Sequence, residues 1–256
     1  MNRSIDVMAK NISAILGDKI VCIYLYGSVV MDDFKLGWSD IDILCLTKEE
    51  ISDYEAEQLV DLRQKLLNKE EANPYFRSFE GAIVSIDEFK KNQYSKVVYW
   101  GTSGQRITDK FYFDVFSLYE LIKYGQLILG NDIRNELVLP TNEELRDGVQ
   151  QHYKTIRKYA VETGESLYSC GWLLDIARCI YTLRYHDIIS KTKAGEWALK
   201  KNLCPEADQL CYTLQIRNKP LEYKEQLDVK EWLSSLGISV QLFADVLERE
   251  LNQYQI

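Results

Sequence analysis

The stretch "YGSVVMDDFKLGWSDIDILCL", Tyr26 to Leu46, decides the fold. It begins with a Gly-Ser pair, continues through a loop, and ends in an apolar run that contains Asp40 and Asp42. Aspartate is disfavoured in strands and costly to bury, so this placement needs a reason. Residues two apart on a strand point to the same face, so Asp40 and Asp42 share a face. Ile41 and Ile43 then pack into the core on the other face.

The two aspartates indicate a metal site. With Cα atoms ~7 Å apart along a strand, the carboxylates repel unless a cation lies between them. A pair of Mg²⁺ ions about 3.5–4 Å apart fits that spacing and prefers carboxylate oxygen. Glu80, which interrupts the apolar run "RSFEGAIVSI", is the candidate third acid.

Gly27 and Ser28 end the strand "IVCIYLYG" and open a helical turn. Glycine lets the backbone approach a phosphate, and the serine hydroxyl and nearby amides can donate hydrogen bonds to it. A Gly-Ser pair alone is usually a turn, and Asp-x-Asp alone is usually solvated. A Gly-Ser pair that is followed by Asp-x-Asp, and then by an acid on a third strand, predicts a phosphoryl- or nucleotidyl-transfer site.

The periodicity of the chain changes near Leu139-Pro140. Before it, strands are expected over 20–27, 39–46 and 77–86, and helices over 5–16, 49–68 and 114–129, the last capped by Gly130-Asn131. Within 90–109 only a short strand in "QRITDKFYF" is indicated. After it, helices are expected over 145–162, 172–186, 193–201, 205–216 and 229–251. We therefore predict an α+β protein with a mixed-sheet domain over 1–138 and an all-helical bundle over 139–256.

Composition excludes several classes of function. The net charge of −8, from 31 basic and 39 acidic residues, argues against nucleic acid, suits a small cationic ligand, and is also ordinary for a soluble protein. Six cysteines without a C-x-x-C pair, together with two histidines, argue against zinc. The N-terminus lacks the apolar core of a signal peptide, and no segment is apolar enough to span a membrane. We expect a cytoplasmic protein.

The motifs resemble a known family. "YGSVVMDDFKLGWSDIDILC" resembles the Gly-Ser, Asp-x-Asp signature of the nucleotidyltransferase superfamily. "RSFEGAIVSIDEF" and "GWLLDIARCIYTLRYHDIISKTKAGEWAL" are similar to segments of the aminoglycoside adenylyltransferases of the streptomycin/spectinomycin type. The resemblance covers nearly the whole chain and implies an N-terminal nucleotidyltransferase domain.

The resemblance also implies roles for individual residues. Asp40 and Asp42 would bind two Mg²⁺ ions, and Glu80 would be the general base and a drug contact. ATP would bind between the domains and would be held by Gly27, Ser28, Ser39, Arg178, Thr182 and Lys191. In addition to Glu80, the drug would contact Glu165, Tyr168 and Trp172. Other interpretations stay open: Arg178 is a natural partner for Asp175, Lys191 is ordinarily solvated, and a helical threonine commonly bonds its own backbone.

The implied reaction is transfer of AMP from MgATP to the 9-hydroxyl of spectinomycin, releasing pyrophosphate. Relatives that also accept streptomycin carry a tryptophan after the third strand, but "TSGQRIT", around Gly104, has none, and the nearest is Trp100. Gly171 likewise stands where relatives have a polar side chain. These differences favour spectinomycin as the only drug substrate. We expect the enzyme to be a monomer. Dual streptomycin/spectinomycin or lincosamide transfer, transfer to RNA or protein, and a silent nucleotide-binding module remain alternatives.

Overall fold

The computed structural model describes residues 1–101 and 104–253. The chain divides into two compact units: unit 1 comprises Met1–Phe34 and Ser39–Leu139, and unit 2 comprises Lys35–Trp38 and Pro140–Ile256. The loop segment Lys35–Trp38 thus groups with the second half of the chain. The predicted domain boundary between residues 138 and 139 stays a prediction.

Unit 1 is built on a mixed sheet, as predicted, and the sheet has six strands. Its strands are β1 (Ile20–Tyr26), β2 (Ile41–Thr47), β3 (Phe79–Ser85), β4 (Val97–Gly101), β5 (Gly104–Thr108) and β6 (Gln126–Gly130). Their spatial order is β5-β4-β3-β2-β1-β6. β2 and β3 are parallel, and the other neighbouring strands are antiparallel. The helices of this unit are α1 (Asn2–Leu16), α2 (Asp53–Lys69), α3 (Ile86–Lys91) and α4 (Val115–Tyr124).

The sheet is covered on both faces. Ile41 and Ile43 pack, as expected, into one core together with residues of α1 and α2. Leu44 and Leu46 pack into a second core with residues of α3 and α4. Asp42 shares its face with these two leucines, so only the beginning of β2 is open to chemistry, and the rest of the strand is buried on both sides.

Two predictions for unit 1 are corrected by the structure. The helix expected over 114–129 ends at Tyr124, and residues 126–130 form β6, which pairs with the edge of β1. The edge of a sheet offers a row of backbone hydrogen bonds, and here it outweighs the helical pattern of the sequence. Residues 90–109 contain the antiparallel pair β4 and β5 rather than a single short strand.

Unit 2 is helical within the described residues, as predicted. Its helices are α5 (Asn142–Tyr159), α6 (Tyr168–Tyr185), α7 (Lys191–Lys200), α8 (Ala207–Asn218), α9 (Pro220–Tyr223), α10 (Leu227–Ser234) and α11 (Gly237–Gln253). The single helix expected over 229–251 is therefore two helices. A Cβ at Gly237 would lie 2.1 Å from the Val161 carbonyl oxygen, so close packing at this point fixes where α11 begins. Among the described helices, none has the length and apolarity of a membrane span.

Candidate active site

The Gly-Ser pair forms the turn that sequence analysis predicted. The Met31 amide donates to the Gly27 carbonyl at 3.2 Å, which is a helical turn directly after β1. Gly27 has φ +68°, and a Cβ there would lie 2.1 Å from Oδ2 of Asp42. Glycine is therefore required twice, for the backbone conformation and for the room that the Asp42 carboxylate occupies.

The turn is tied to the residue that precedes β2. The Ser28 hydroxyl donates to the backbone carbonyl of Asp40 at 3.2 Å. Ser39, also predicted to contact nucleotide, is buried beside it in the chain at 8% exposure. The Gly-Ser turn and the Asp-x-Asp segment thus form one local structure at the end of the sheet.

The strand register brings the predicted acids together. Asp42 of β2 pairs with Glu80 of β3 in the parallel ladder and with Tyr26 of β1 on its other side. Asp40 lies immediately before β2. Gly81, directly after Glu80, has φ +143°, and a Cβ there would lie 1.8 Å from the Ile43 carbonyl oxygen. The close approach of β2 and β3 that juxtaposes the two acids therefore depends on this glycine.

A positive charge lies behind the acids. Arg63 of α2 donates to the carbonyl oxygens of Phe79, at 2.7 Å, and Gly101, at 3.2 Å. Burial lowers the pKa of its guanidinium, whereas the carboxylates of Glu80 and Asp40 favour its charged form. An arginine remains protonated in proteins, so it contributes a fixed positive charge near the acids. Sequence analysis missed this residue because it lies in an ordinary amphipathic helix.

The donor set of this edge suits magnesium. Within the described residues, no three His, Cys, Asp or Glu side chains are grouped closely enough to hold a metal ion by themselves. Mg²⁺, however, is commonly bound by one or two carboxylates, with waters and substrate phosphates as its other ligands. The Asp42 carboxylate over Gly27, beside Asp40, supplies oxygen donors of that kind. The two aspartates therefore fit Mg²⁺ that arrives with a nucleotide.

The predicted phosphate ligands of unit 2 surround one buried carboxylate. Lys191, the first residue of α7, has its Nζ 2.9 Å from Oδ1 of Asp175, and Arg178 has a guanidinium nitrogen 3.7 Å from the same oxygen. Burial raises the pKa of Asp175, but Lys191, Arg178 and His152 outweigh it, and the net pKa lies below its ordinary value. The structure thus confirms that Arg178 is a partner of Asp175, and Lys191 contacts the same carboxylate.

Thr182 lies one turn after Arg178 on α6, as its spacing predicts. It is 1% exposed, and its hydroxyl has no hydrogen-bond partner among the described residues. Its assignment to nucleotide binding stays a prediction.

Two of the four predicted drug-contact residues line one pocket inside unit 2. Glu165 and Tyr168 form this pocket of about 230 Å³ together with Gly37, Trp38, Ser166, Leu167 and Lys224. Trp172 lies one helical turn beyond Tyr168 and is not among the lining residues.

Trp38 is the aromatic lining residue that sequence analysis missed. It belongs to the opening stretch, between the Gly-Ser pair and the aspartates. Arg217 lies over its ring at 5.3 Å, and a Cβ at Gly171 would lie 3.6 Å from that ring. A tryptophan in the loop before Asp40 was the only signal available.

Comparisons with known proteins agree with this geometry. Residues 9–93 match the family described as nucleotidyltransferase domain, and residues 140–213 match the family described as aminoglycoside adenylyltransferase, C-terminal domain. No curated protein sequence matches the chain.

A solved structure with this fold is found by comparison. Spectinomycin adenyltransferase AAD(9) from Enterococcus faecialis, solved with ATP and spectinomycin, aligns at a TM-score of 0.70 with 16% identity, over 97% of this chain and 99% of that chain. A complex of a tri-AMPylated Shewanella oneidensis HEPN toxin with MNT antitoxin aligns at a TM-score of only 0.28 with 13% identity, over 62% of this chain and 92% of that chain. The first half of the chain thus matches a nucleotidyltransferase domain, the second half matches the C-terminal domain of aminoglycoside adenylyltransferases, and the chain has the fold of the aligned adenyltransferase.

Proposed function

We propose that this protein transfers AMP from ATP to the 9-hydroxyl of spectinomycin and thereby confers resistance to that drug. One observation carries the proposal: the ladder pairs Asp42 with Glu80 at the open end of the sheet, directly beside the Gly27-Ser28 turn. That arrangement supplies metal ligands, a base and a phosphate cradle together. The ATP and spectinomycin bound by the relative of the same fold support the choice of both substrates.

The proposed reaction is a single in-line displacement. The drug hydroxyl gives its proton to the Glu80 carboxylate, its oxygen forms a bond to the α-phosphorus, and the bond between the α- and β-phosphates breaks to release pyrophosphate. Asp40 and Asp42 would hold Mg²⁺, as two ions, which supplies charge neutralisation on the attacking and leaving oxygens. Gly27, Ser28 and Ser39 would bind the triphosphate through backbone amides and hydroxyls.

Unit 2 is proposed to provide cations for the same nucleotide. Arg178 and Lys191 are both part of an ion cluster with Asp175, in which their two positive charges lie close together. A triphosphate is the anion that the family relationship suggests for them. Thr182 is proposed to act with Arg178 from the same helix.

The drug is proposed to bind through acidic and aromatic groups. Spectinomycin carries amines, which are attracted to carboxylates and to aromatic faces. Glu165, Tyr168 and Trp38 present such groups in one pocket, with Lys224 also at its wall. Glu80 and Trp172 complete the proposed set of contacts.

The structure of β4 supports spectinomycin rather than streptomycin. Trp100 is 1% exposed, and its indole N–H donates to the Leu59 carbonyl at 2.9 Å. It is a core residue, so it is not available to replace the tryptophan that the resemblance associates with streptomycin binding. A monomer in the cytoplasm, where ATP is abundant, is sufficient for the proposed activity.

The test is drug-dependent release of pyrophosphate. Purified protein is incubated with ATP, Mg²⁺ and, in separate reactions, spectinomycin, streptomycin, lincomycin or kanamycin. We expect release with spectinomycin alone, and mass spectrometry should find one AMP on the drug. Pyrophosphate release with streptomycin or lincomycin would show that the substrate assignment is wrong. No pyrophosphate release with any of the drugs would overturn the proposed adenylylation itself.

A matched pair of variants tests the base. Glu80→Gln should abolish turnover while ATP binding is retained, because the amide cannot accept the proton. Glu57→Gln, on the exposed face of α2, makes the same chemical change away from the site and should behave as wild type. Normal turnover by Glu80→Gln would refute the assignment of the base.

A further inference from the structure

Glu80 is held by a tyrosine from the neighbouring strand. The Tyr99 hydroxyl donates to Oε1 of Glu80 at 2.8 Å. The antiparallel register pairs Gly81 with Trp100 and Ala82 with Tyr99, so the position opposite Glu80 is Gly101. Tyr99 therefore reaches Glu80 diagonally, across the place that a side chain of residue 101 would take.

Gly101 leaves that place empty. A Cβ at this position would lie 2.5 Å from Cε1 of Tyr99 and 2.6 Å from its hydroxyl oxygen. Real Cβ atoms do not approach so closely, so any other residue would displace the ring. The glycine is thus required for space rather than for backbone conformation.

The ring is fixed from its other side as well. Tyr99 pairs with Arg106 of β5, and the guanidinium carbon of Arg106 lies 4.7 Å from the centre of the ring. Arg63 bridges the carbonyls of Phe79 and Gly101, which holds the ends of β3 and β4 together beyond the last ladder pair. Both the ring and the backbone around Glu80 are therefore restrained.

We propose that Tyr99 is a positioning residue that holds one oxygen of the Glu80 carboxylate so that the other, Oε2, faces the hydroxyl to be deprotonated. The proposal rests on the proposed function, in which Glu80 is the base. A hydrogen bond donated to a charged carboxylate is among the stronger ones in proteins, and it leaves the second oxygen available as an acceptor.

The chemistry of the tyrosine fits a permanent donor. Burial and the hydrogen bond to Glu80 raise the pKa of Tyr99 to about 12. Its hydroxyl consequently stays protonated at neutral pH and does not compete with Glu80 for the proton of the drug.

The first test compares Tyr99→Phe with Tyr94→Phe. Both rings pack on Phe111, at 6.0 and 5.1 Å, so the control removes a hydroxyl from the same aromatic cluster. We expect Tyr99→Phe to lower kcat about 10-fold, as for loss of a charge-assisted hydrogen bond, with the KM for ATP and the melting temperature unchanged. Tyr94→Phe should keep the wild-type kcat. An unchanged kcat in Tyr99→Phe, or a kcat loss that accompanies a lower melting temperature, overturns the proposal.

The second test asks whether Tyr99 acts through Glu80. Glu80→Asp retains a carboxylate but withdraws it by one methylene from the tyrosine hydroxyl. Adding Tyr99→Phe to Glu80→Asp should then change kcat less than about 2-fold, because the contact is already lost. A full 10-fold loss in that background would show that Tyr99 acts independently, and the proposal would be wrong. Gly101→Ala should reproduce the kcat loss of Tyr99→Phe, and the two together should not be additive.

The two proposals fail in distinguishable ways. If the wild-type protein releases no pyrophosphate with any acceptor, the proposed function fails and takes this role with it. If the wild type turns over and Tyr99→Phe does so at the same rate, only the role of Tyr99 is refuted.

Discussion

The acids of unit 1 and the cations of unit 2 are held in place by different means. Asp42 and Glu80 are neighbours because the backbones of β2 and β3 pair in parallel register. Arg178 and Lys191 are near one another because their side chains share the carboxylate of Asp175. Removing a charge should therefore have different consequences in the two places.

In unit 1 the main chain does the positioning, and the two acids repel one another. Like charges directly opposite on neighbouring strands are destabilising. We therefore expect the repulsion between the two acids to lower the stability of this edge. In unit 2 the ion cluster is part of the fold, so the groups assigned to phosphate binding also stabilise the protein.

The largest effect is expected for Asp42→Asn. Loss of a metal ligand should lower kcat by about 10³-fold or more, since metal ions contribute several kcal/mol to such transition states. The melting temperature should stay equal or rise slightly, because the repulsion with Glu80 is removed. Pyrophosphate release and a thermal melt of the same sample measure both. A clear fall in melting temperature would show that the Asp42 carboxylate itself stabilises this edge.

The opposite pattern is expected for Asp175→Asn. Removing the carboxylate leaves two cations close together in a mostly buried site, and the free energy of unfolding should fall by about 3 kcal/mol. Asp147→Asn, on the exposed face of α5, is the control and should be neutral. Urea unfolding of the two variants measures the difference. Equal stability of both variants would show that the cation pair does not depend on Asp175.

The pH dependence of this loss follows from the lowered pKa of Asp175. A carboxyl group whose pKa is lowered by folding stabilises the protein fully at pH values above its pKa in the unfolded chain, about 3.9 for aspartate. That stabilisation is lost as the pH falls through the lower pKa that the group has in the folded protein. The difference between wild type and Asp175→Asn should therefore shrink below about pH 4. A difference that grows in acid would mean that the carboxylate is not held in its charged form.

A smaller effect, on nucleotide binding, is expected for Lys191→Met. The variant keeps the length of the side chain, and Asp175 retains Arg178 at 3.7 Å as a partner. We expect the KM for ATP to rise about 10-fold, as for loss of one charged hydrogen bond, with kcat within about 2-fold of wild type. Steady-state kinetics with ATP varied at saturating drug tests this. A change confined to kcat would show that Lys191 does not contribute to binding of the ATP phosphates in the ground state.

The same contrast explains what could be predicted from the sequence. The acids of unit 1 were predictable because alternation along a strand fixes the face of each side chain, and because aspartate in an apolar run is costly. The resemblance to a family supplied the cations, and the sequence indicated Asp175 as a partner for Arg178 but not for Lys191. Arg63, Tyr99 and Gly101 were missed, since which strand pairs with which, and in which register, depends on the whole sheet.

The errors in the fold have a related origin. Residues 126–130 continue the helical pattern of α4, yet they complete the sheet because β1 has a free edge there. The break between α10 and α11 depends on the approach of Gly237 to the Val161 carbonyl, far away in the sequence. Local periodicity predicts the type of most elements, whereas tertiary contacts decide where these ones end.

The smallest effect concerns two capping boxes, one in each unit. Glu55 accepts from the Ser52 amide at 2.9 Å at the start of α2, and Glu144 accepts from the Thr141 amide at 2.8 Å at the start of α5. Glu55 also binds Lys19 at 3.0 Å, a contact that ties α2 to the chain before β1.

Replacing each glutamate by glutamine keeps an acceptor for the amide and removes the charge. Glu144→Gln should lower the free energy of unfolding by about 0.5 kcal/mol, the size of a local cap effect. Glu55→Gln should lower it more, because the ion pair with Lys19 is lost as well. Urea unfolding at low and high salt separates the two contributions. The loss in Glu55→Gln includes the ion pair with Lys19, so it should shrink more at high salt than the loss in Glu144→Gln. Equal losses in the two variants, at both salt concentrations, would mean that the long-range ion pair adds nothing and that both helices begin through local chemistry alone.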